Sequence, residues 1–189
     1  MSPTDEELMQ RVREGDPVAL EGLIRRYHRP LLHFAGRFLD DPDIADDIVQ
    51  ETFLRVIQAA PRWQPRALFS TWVYTIAANL CRDELKRARR GREELWEPQG
   101  AEPVDPAPSP EMQALNTLRA AKVRAAVHRL PLFQRQIVIL HHYHDLSCRE
   151  IAQVCRCPVG TVKSRLHHAH RKLREWLADE LKEDYQDLR

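Results

Sequence analysis

Between Val159 and Arg174 the chain carries five Lys or Arg residues and no acid. At helical spacing Thr161, Ser164, His167, His168 and Arg171 share one face, flanked by Lys163, Arg165 and Lys172. Hydroxyl, imidazole and guanidinium groups suit base edges in a major groove, and the flanking cations suit phosphates. A basic amphipathic helix can also be merely solvated, but the preceding residues argue otherwise. Ser147-Cys-Arg-Glu150 has the spacing of a capping box, and Cys148, Ile151, Ala152 and Cys155 form the apolar face of a short helix. Cys155-Arg-Cys-Pro158 makes a tight turn, with Pro158 suited to the first position of the next helix. Val162, Leu166, Ala169 and Leu173 then point inward at i, i+4, i+7 and i+11. Length, capping and spacing together predict a helix-turn-helix that reads duplex DNA.

A second group lies upstream. A helix over 70–90 buries Val73, Ile76, Ala77 and Leu80, which leaves Thr75, Asn79, Arg82 and Lys86 on the opposite stripe, with Arg87, Arg89, Arg90 and Arg92 extending the charge. The segment from Trp63 to Phe69 runs into Ser70, Thr71 and Trp72. Phosphates need cations, unstacked bases need an aromatic surface, and base edges need an amide, so this set fits single-stranded DNA. Trp63, Phe69 and Trp72 fit an ordinary core as well. A third group is acidic. A helix after the turn Asp40-Asp41-Pro42 packs Ile44, Ile48, Val49, Thr52, Phe53 and Val56, and presents Asp46, Asp47, Gln50, Glu51 and Leu54 outward. Taken alone, that face is a solvated one.

The elements that position these groups are helices throughout, because no alternating apolar run is long enough for a strand. Thr4 with Glu7 caps a first helix to Arg13, and Asp16 with Pro17 opens a second that runs to Leu39 past Pro30. Charge is segregated although the formal net is only +1: residues 1–60 hold 12 acids and 7 bases, 61–92 hold 2 and 8, and 93–118 hold 6 acids and no base. Two basic patches separated by an acidic spacer suit a polyanion partner. Pro98, Pro103, Pro106, Pro108 and Pro110 make that spacer a mobile tether. The expected organisation is all-α, with small helical domains at 1–92 and 113–189 joined by a linker at 93–112.

With 189 residues, the chain suits one or two small soluble domains. No apolar run approaches a membrane span, and the acidic start lacks the pattern of a signal peptide, so a cytoplasmic protein without membrane insertion is expected. Cys81, Cys148, Cys155 and Cys157 are too few and too unevenly spaced for a disulfide framework. His141, His142 and His144 lie near three of them and raise a metal or thiol sensor. Against that, Cys148 and Cys155 fall on a buried face, and Cys-x-Cys is tighter than the usual zinc spacing. No phosphate loop or nucleophile motif points to an enzyme.

Several of these stretches resemble one family. Leu130-Pro131, Gln134-Arg135, His141-His-Tyr143, Glu150-Ile-Ala152 and Val159-Gly-Thr-Val-Lys-Ser-Arg-Leu166 are similar to region 4 of bacterial sigma factors of the extracytoplasmic-function (ECF) group. Asp47 to Val56 and Phe69 to Leu80 are similar to region 2 of the same group, and region 3 is absent, as in that group. The resemblance implies an alternative sigma factor that binds core RNA polymerase, at the β′ clamp helices and β flap, and promoter DNA. It implies no cofactor, and commonly an anti-sigma factor as partner. It matches Asp47, Gln50, Glu51 and Leu54 to the clamp-docking face, and Trp63 to Thr71 to the loop that captures a flipped −10 base. Trp72, Asn79, Arg82 and Lys86 match the face that holds the melting strand. Ser164, His168 and Arg171 match the −35 readers, with Lys163 and Arg165 on phosphates; His167, His168 and His170 depart from the aromatic or Arg residues more usual there. A plain helix-turn-helix regulator would account for 130–175 but not for the first domain.

Overall fold

Local signals set most helix boundaries. The Thr4 hydroxyl accepts from Glu7 N–H while the Glu7 carboxylate accepts from Thr4 N–H at 2.7 Å, closing the expected capping box of α1 (Asp5–Arg13). Asp16 accepts from the backbone of Val18 and Ala19, starting α2 (Pro17–Leu39), which carries Pro30 within it. Asp41 caps α3 (Pro42–Ala59). A 3₁₀ turn over Ala60–Arg62 then leads to α4 (Phe69–Gly91). After the linker come α5 (Pro110–Arg129), α6 (Leu132–His142), α7 (Cys148–Cys155) and α8 (Val159–Gln186). A computed structural model describes residues 3–39, 41–65, 67–91 and 110–186 of the chain.

The first four helices enclose Met9, Leu23, Leu31, Phe34, Phe38, Val49, Val56, Phe69, Val73 and Ala77. Thr52 is buried among them, and its hydroxyl donates to the Ile48 carbonyl at 2.7 Å, so the polar atom enters the core satisfied. The second unit closes over Ile137, Ile139, Leu140, Ile151, Val154, Val162 and Ala169. Between α7 and α8, Arg156 adopts a left-handed backbone (φ +50°), and Cys157 N–H bonds back to the Ala152 carbonyl. The Pro158 carbonyl accepts from Thr161 and Val162 N–H, so Pro158 caps α8 instead of occupying its first turn, a shift of one residue from the sequence expectation.

Helix α5 begins at Pro110, inside the segment assigned to the tether, because proline is tolerated in a first helical turn, where its missing N–H has no partner to lose. The rest of that tether, residues 93–109, lies outside the described residues. The two units also pack on each other. Tyr74, Ala78, Cys81 and Leu85 form a second apolar stripe on α4 at i, i+4, i+7 and i+11, and α4 lies against α7 while α2 lies against α6. At this seam the Tyr74 hydroxyl shares a 2.8 Å hydrogen bond with His144 Nδ1, and the rings of Phe34 and Tyr74 lie 5.8 and 5.0 Å from the imidazole. Arg37 sits 4.4 Å over the Tyr143 ring, and Arg135 donates to the Phe38 carbonyl at 3.1 Å.

Candidate nucleic-acid and polymerase interfaces

The inner face of α3 fixes what its outer face shows. With Ile48, Val49, Thr52, Phe53 and Val56 buried, Asp46, Asp47, Gln50 and Leu54 stand in solvent, Leu54 at 51% exposure. Glu51 is half-buried and pairs with Arg55 at 2.8 Å. One turn beyond Leu54, Ile57 is also exposed. A leucine and an isoleucine left bare between carboxylates suit a protein surface better than bulk water. Ile57 was missed in sequence, although its i, i+3 spacing from Leu54 is legible there.

Of the two readings the aromatic segment allowed, its burial favours the core for Trp63 and Phe69. Trp63 is 7% exposed, Phe69 is fully buried and Thr71 is 2% exposed. Phe69 meets Tyr27 edge-on at 5.2 Å and Trp72 at 5.9 Å, and its N–H donates to the Glu6 carboxylate at 2.9 Å. Trp63 tilts against Trp72 at 6.5 Å. The aromatics are therefore the floor of the loop, because their rings satisfy the core and α1 supplies a carboxylate to anchor its end. Gln64, Pro65, Ala67 and Leu68 are exposed above it, and Ser70 and Trp72 are half-buried. The tie to Glu6 had no signal in the sequence, since it joins residues far apart in the chain.

Along α4, Thr75, Asn79 and Arg82 are half-buried and Lys86 is exposed. The Thr75 hydroxyl donates to the Thr71 carbonyl at 2.7 Å. Arg82 donates to the Ala78 carbonyl at 3.1 Å and to the Asn79 side-chain oxygen, so this cation is laid along its own helix. Lys86 lies 3.5 Å from Asp83, and Arg87 pairs with Glu84. On α8, Lys163, Ser164, His167, His168 and Arg171 are exposed, and Thr161 is half-buried. Arg165 is half-buried with its guanidinium 5.0 Å over Phe133, which orients it at the edge of the face. Arg171 approaches Glu175 at 4.0 Å. Ser147 and Glu150 form the predicted capping box of α7, and the expected outward residues of α8 do share one face.

All four cysteines are free thiols; burial pushes Cys155 up to about 11 and Cys81 above the usual thiol range. Among the described residues, no three His, Cys, Asp or Glu side chains are grouped to hold a metal ion, and no helix is long and apolar enough to cross a membrane.

Residues 23–91 match the family model of sigma-70 region 2, and residues 120–173 that of sigma-70 region 4. The RNA polymerase sigma-H factor of Pseudomonas aeruginosa is 32% identical over 188 residues, covering 95% of this chain and 96% of that protein. The chain belongs to the sigma-70 family of RNA polymerase sigma factors. Within that family it is an ECF factor: the ECF RNA polymerase sigma-E factor of Haemophilus influenzae is 31% identical over 173 residues, with 88% of this chain and 91% of that one covered. Two solved relatives share the fold of this sigma factor at 24% identity. RpoE of Bartonella quintana, solved with the anti-sigma factor NepR, has a TM-score of 0.68 with 84% of this chain and 96% of that chain covered. CnrH, solved with the cytosolic domain of CnrY, has a TM-score of 0.70 with 93% and 97% covered. It is an alternative sigma factor that directs transcription.

Proposed function

We propose that this sigma factor divides its work among three helix faces, with region 2 over 1–92 and region 4 over 113–189. The α3 face, Asp47, Gln50, Glu51 and Leu54, docks on the β′ clamp helices of core polymerase, and region 4 reaches the β flap. Thr75, Asn79, Arg82 and Lys86 hold the −10 strand as it separates. Ser70 and Trp72, with the exposed Gln64, Pro65, Ala67 and Leu68, receive the flipped base, while Trp63, Phe69 and Thr71 shape that loop from beneath. Unstacking a base costs a few kcal/mol, which stacking and base-edge hydrogen bonds offset, so opening is an act of binding and not of catalysis. On α8, Ser164, His167, His168 and Arg171 read the −35 bases, with Thr161 at the border of that face, and Lys163 and Arg165 meet phosphates.

The observation that carries this reading is the exposed, acid-free face of α8, directly after the capped α7 and its turn. An anti-sigma factor is the proposed antagonist in the cytoplasm, since RpoE and CnrH are each solved with a partner protein. Promoter-dependent transcription by purified core polymerase with this protein tests the whole assignment. Gln50→Ala with Glu51→Ala is expected to weaken core binding and change thermal stability little, because Gln50 is exposed and Glu51 makes only a surface pair with Arg55. Undiminished core affinity would remove α3 from the interface.

A further inference from the structure

Two histidine runs, His141-His142 and His167-His168-Ala-His170, have no complete role in the reading of promoter DNA. The fold brings their inner ends together. His142, the last residue of α6, is exposed, and His170, midway along α8, is half-buried. Their Nε2 atoms lie 2.6 Å apart, with ring centroids at 4.9 Å. The His141 ring stacks edge-on against His142 at 4.9 Å, with its own Nδ1 bonded to the Leu146 carbonyl at 3.1 Å.

We infer that His142 and His170 form a two-imidazole site for a borderline divalent transition metal, such as Ni²⁺ or Zn²⁺, that clamps α6 to α8. At 2.6 Å the two nitrogens must share one proton, one donating and the other accepting. A metal ion takes that position as the donor ring's proton moves to its own Nδ1, so both rings ligate through Nε2 as neutral imidazoles. Bonds of 2.0–2.1 Å at a tetrahedral angle need the nitrogens about 3.3 Å apart, an opening of less than 1 Å that side-chain torsions supply. Both rings sit on packed helices, so the pair is held before metal arrives, and the exposure of His142 leaves room for water to fill the remaining positions. Burial foremost, with neighbouring cationic groups, lowers both imidazoles, which favours the neutral form that ligates. Arg174, His141 and His167 also face the pair and oppose a cation, so the site calls for a metal with strong affinity for imidazole over a hard one. Occupancy would stiffen the support under the −35 helix, since Arg171 follows His170 directly.

The test is calorimetric titration of the full, chelator-treated chain with Ni²⁺, alongside His142→Ala, His170→Ala and a Cys148→Ser/Cys157→Ser double variant. One binding event per chain is expected, lost in each histidine variant and kept in the cysteine variant. The Co²⁺-loaded protein should show ligand-field bands without an intense thiolate charge-transfer band. Should an alanine variant melt early without metal, His170→Gln takes its place, since it keeps a hydrogen-bonding group but not the ligand. No binding by the wild type, binding that survives loss of either histidine, or a thiolate band would overturn the site.

Discussion

Lys163 and Arg171 stand eight residues apart on one helix, yet the proposed assignment has them act through different physics. Lys163 is a solvated cation, and its loss removes one counterion-releasing contact. Lys163→Ala is therefore expected to weaken all −35 duplexes alike and to flatten the salt slope by about 1, measured by fluorescence anisotropy across salt. As a proposed reader, Arg171 would offer a planar fork to a base edge. Arg171→Ala should relax discrimination at particular base pairs by about 1–3 kcal/mol, measured as relative affinities for single-pair variants of the site. Trp63 belongs to another class, because at 7% exposure it is part of the core. Trp63→Ala should cost about 3–5 kcal/mol of folding stability in denaturant melts, before any effect on strand opening can be read. The residue types at these positions were legible in the sequence. Whether an aromatic lines a surface or floors it was not, since that depends on distant partners such as Tyr27 and Glu6.

At the scale of elements, caps and periodicity carried most of the information. Thr4, Asp16, Asp41 and Ser147 each mark a helix start by a side chain bonded within three residues, and such signals survive without any tertiary context. The helix-turn-helix is legible for the same reason. What the sequence reading lost was the second apolar stripe of α4. Tyr74, Ala78, Cys81 and Leu85 are spaced as regularly as the first stripe, but one helix with two apolar faces needs two neighbours, and the second neighbour lies beyond the proline-rich linker in the chain. The turn of the motif carries its own prediction. Arg156 holds φ +50°, where a side chain is strained and glycine is not. Arg156→Gly should raise stability by about 1 kcal/mol, and Ser147→Ala should lower it by about 1 kcal/mol through loss of the cap, both seen in thermal melts.

For the whole molecule, the seam between the two units sets a geometric conflict. By their names the −35 and −10 elements are roughly 25 base pairs apart, about 85 Å of duplex at 3.4 Å per pair, whereas α4 and α7 are in contact. Under the proposed assignment of the −10 and −35 faces, the seam is expected to part before one molecule reads both. At its centre, burial holds the His144 imidazole down at about 4, with Arg37 and His33 also opposing its charge. An imidazole lowered on closure favours the closed form fully above its ordinary value near 6.5. That preference falls as pH drops through 6.5 and is gone by about 4, at about 1.4 kcal/mol per pH unit within the window. Interdomain distance from fluorescence energy transfer should lengthen between pH 7 and 4.5 in the wild type and change less in His144→Gln; equal profiles would remove His144 from the seam's pH response. Cys81, fully buried on the stripe that faces α7, gives this seam a timekeeper. An alkylating reagent reaches that sulfur only while the two units are apart, so the rate at which Cys81 is modified counts openings.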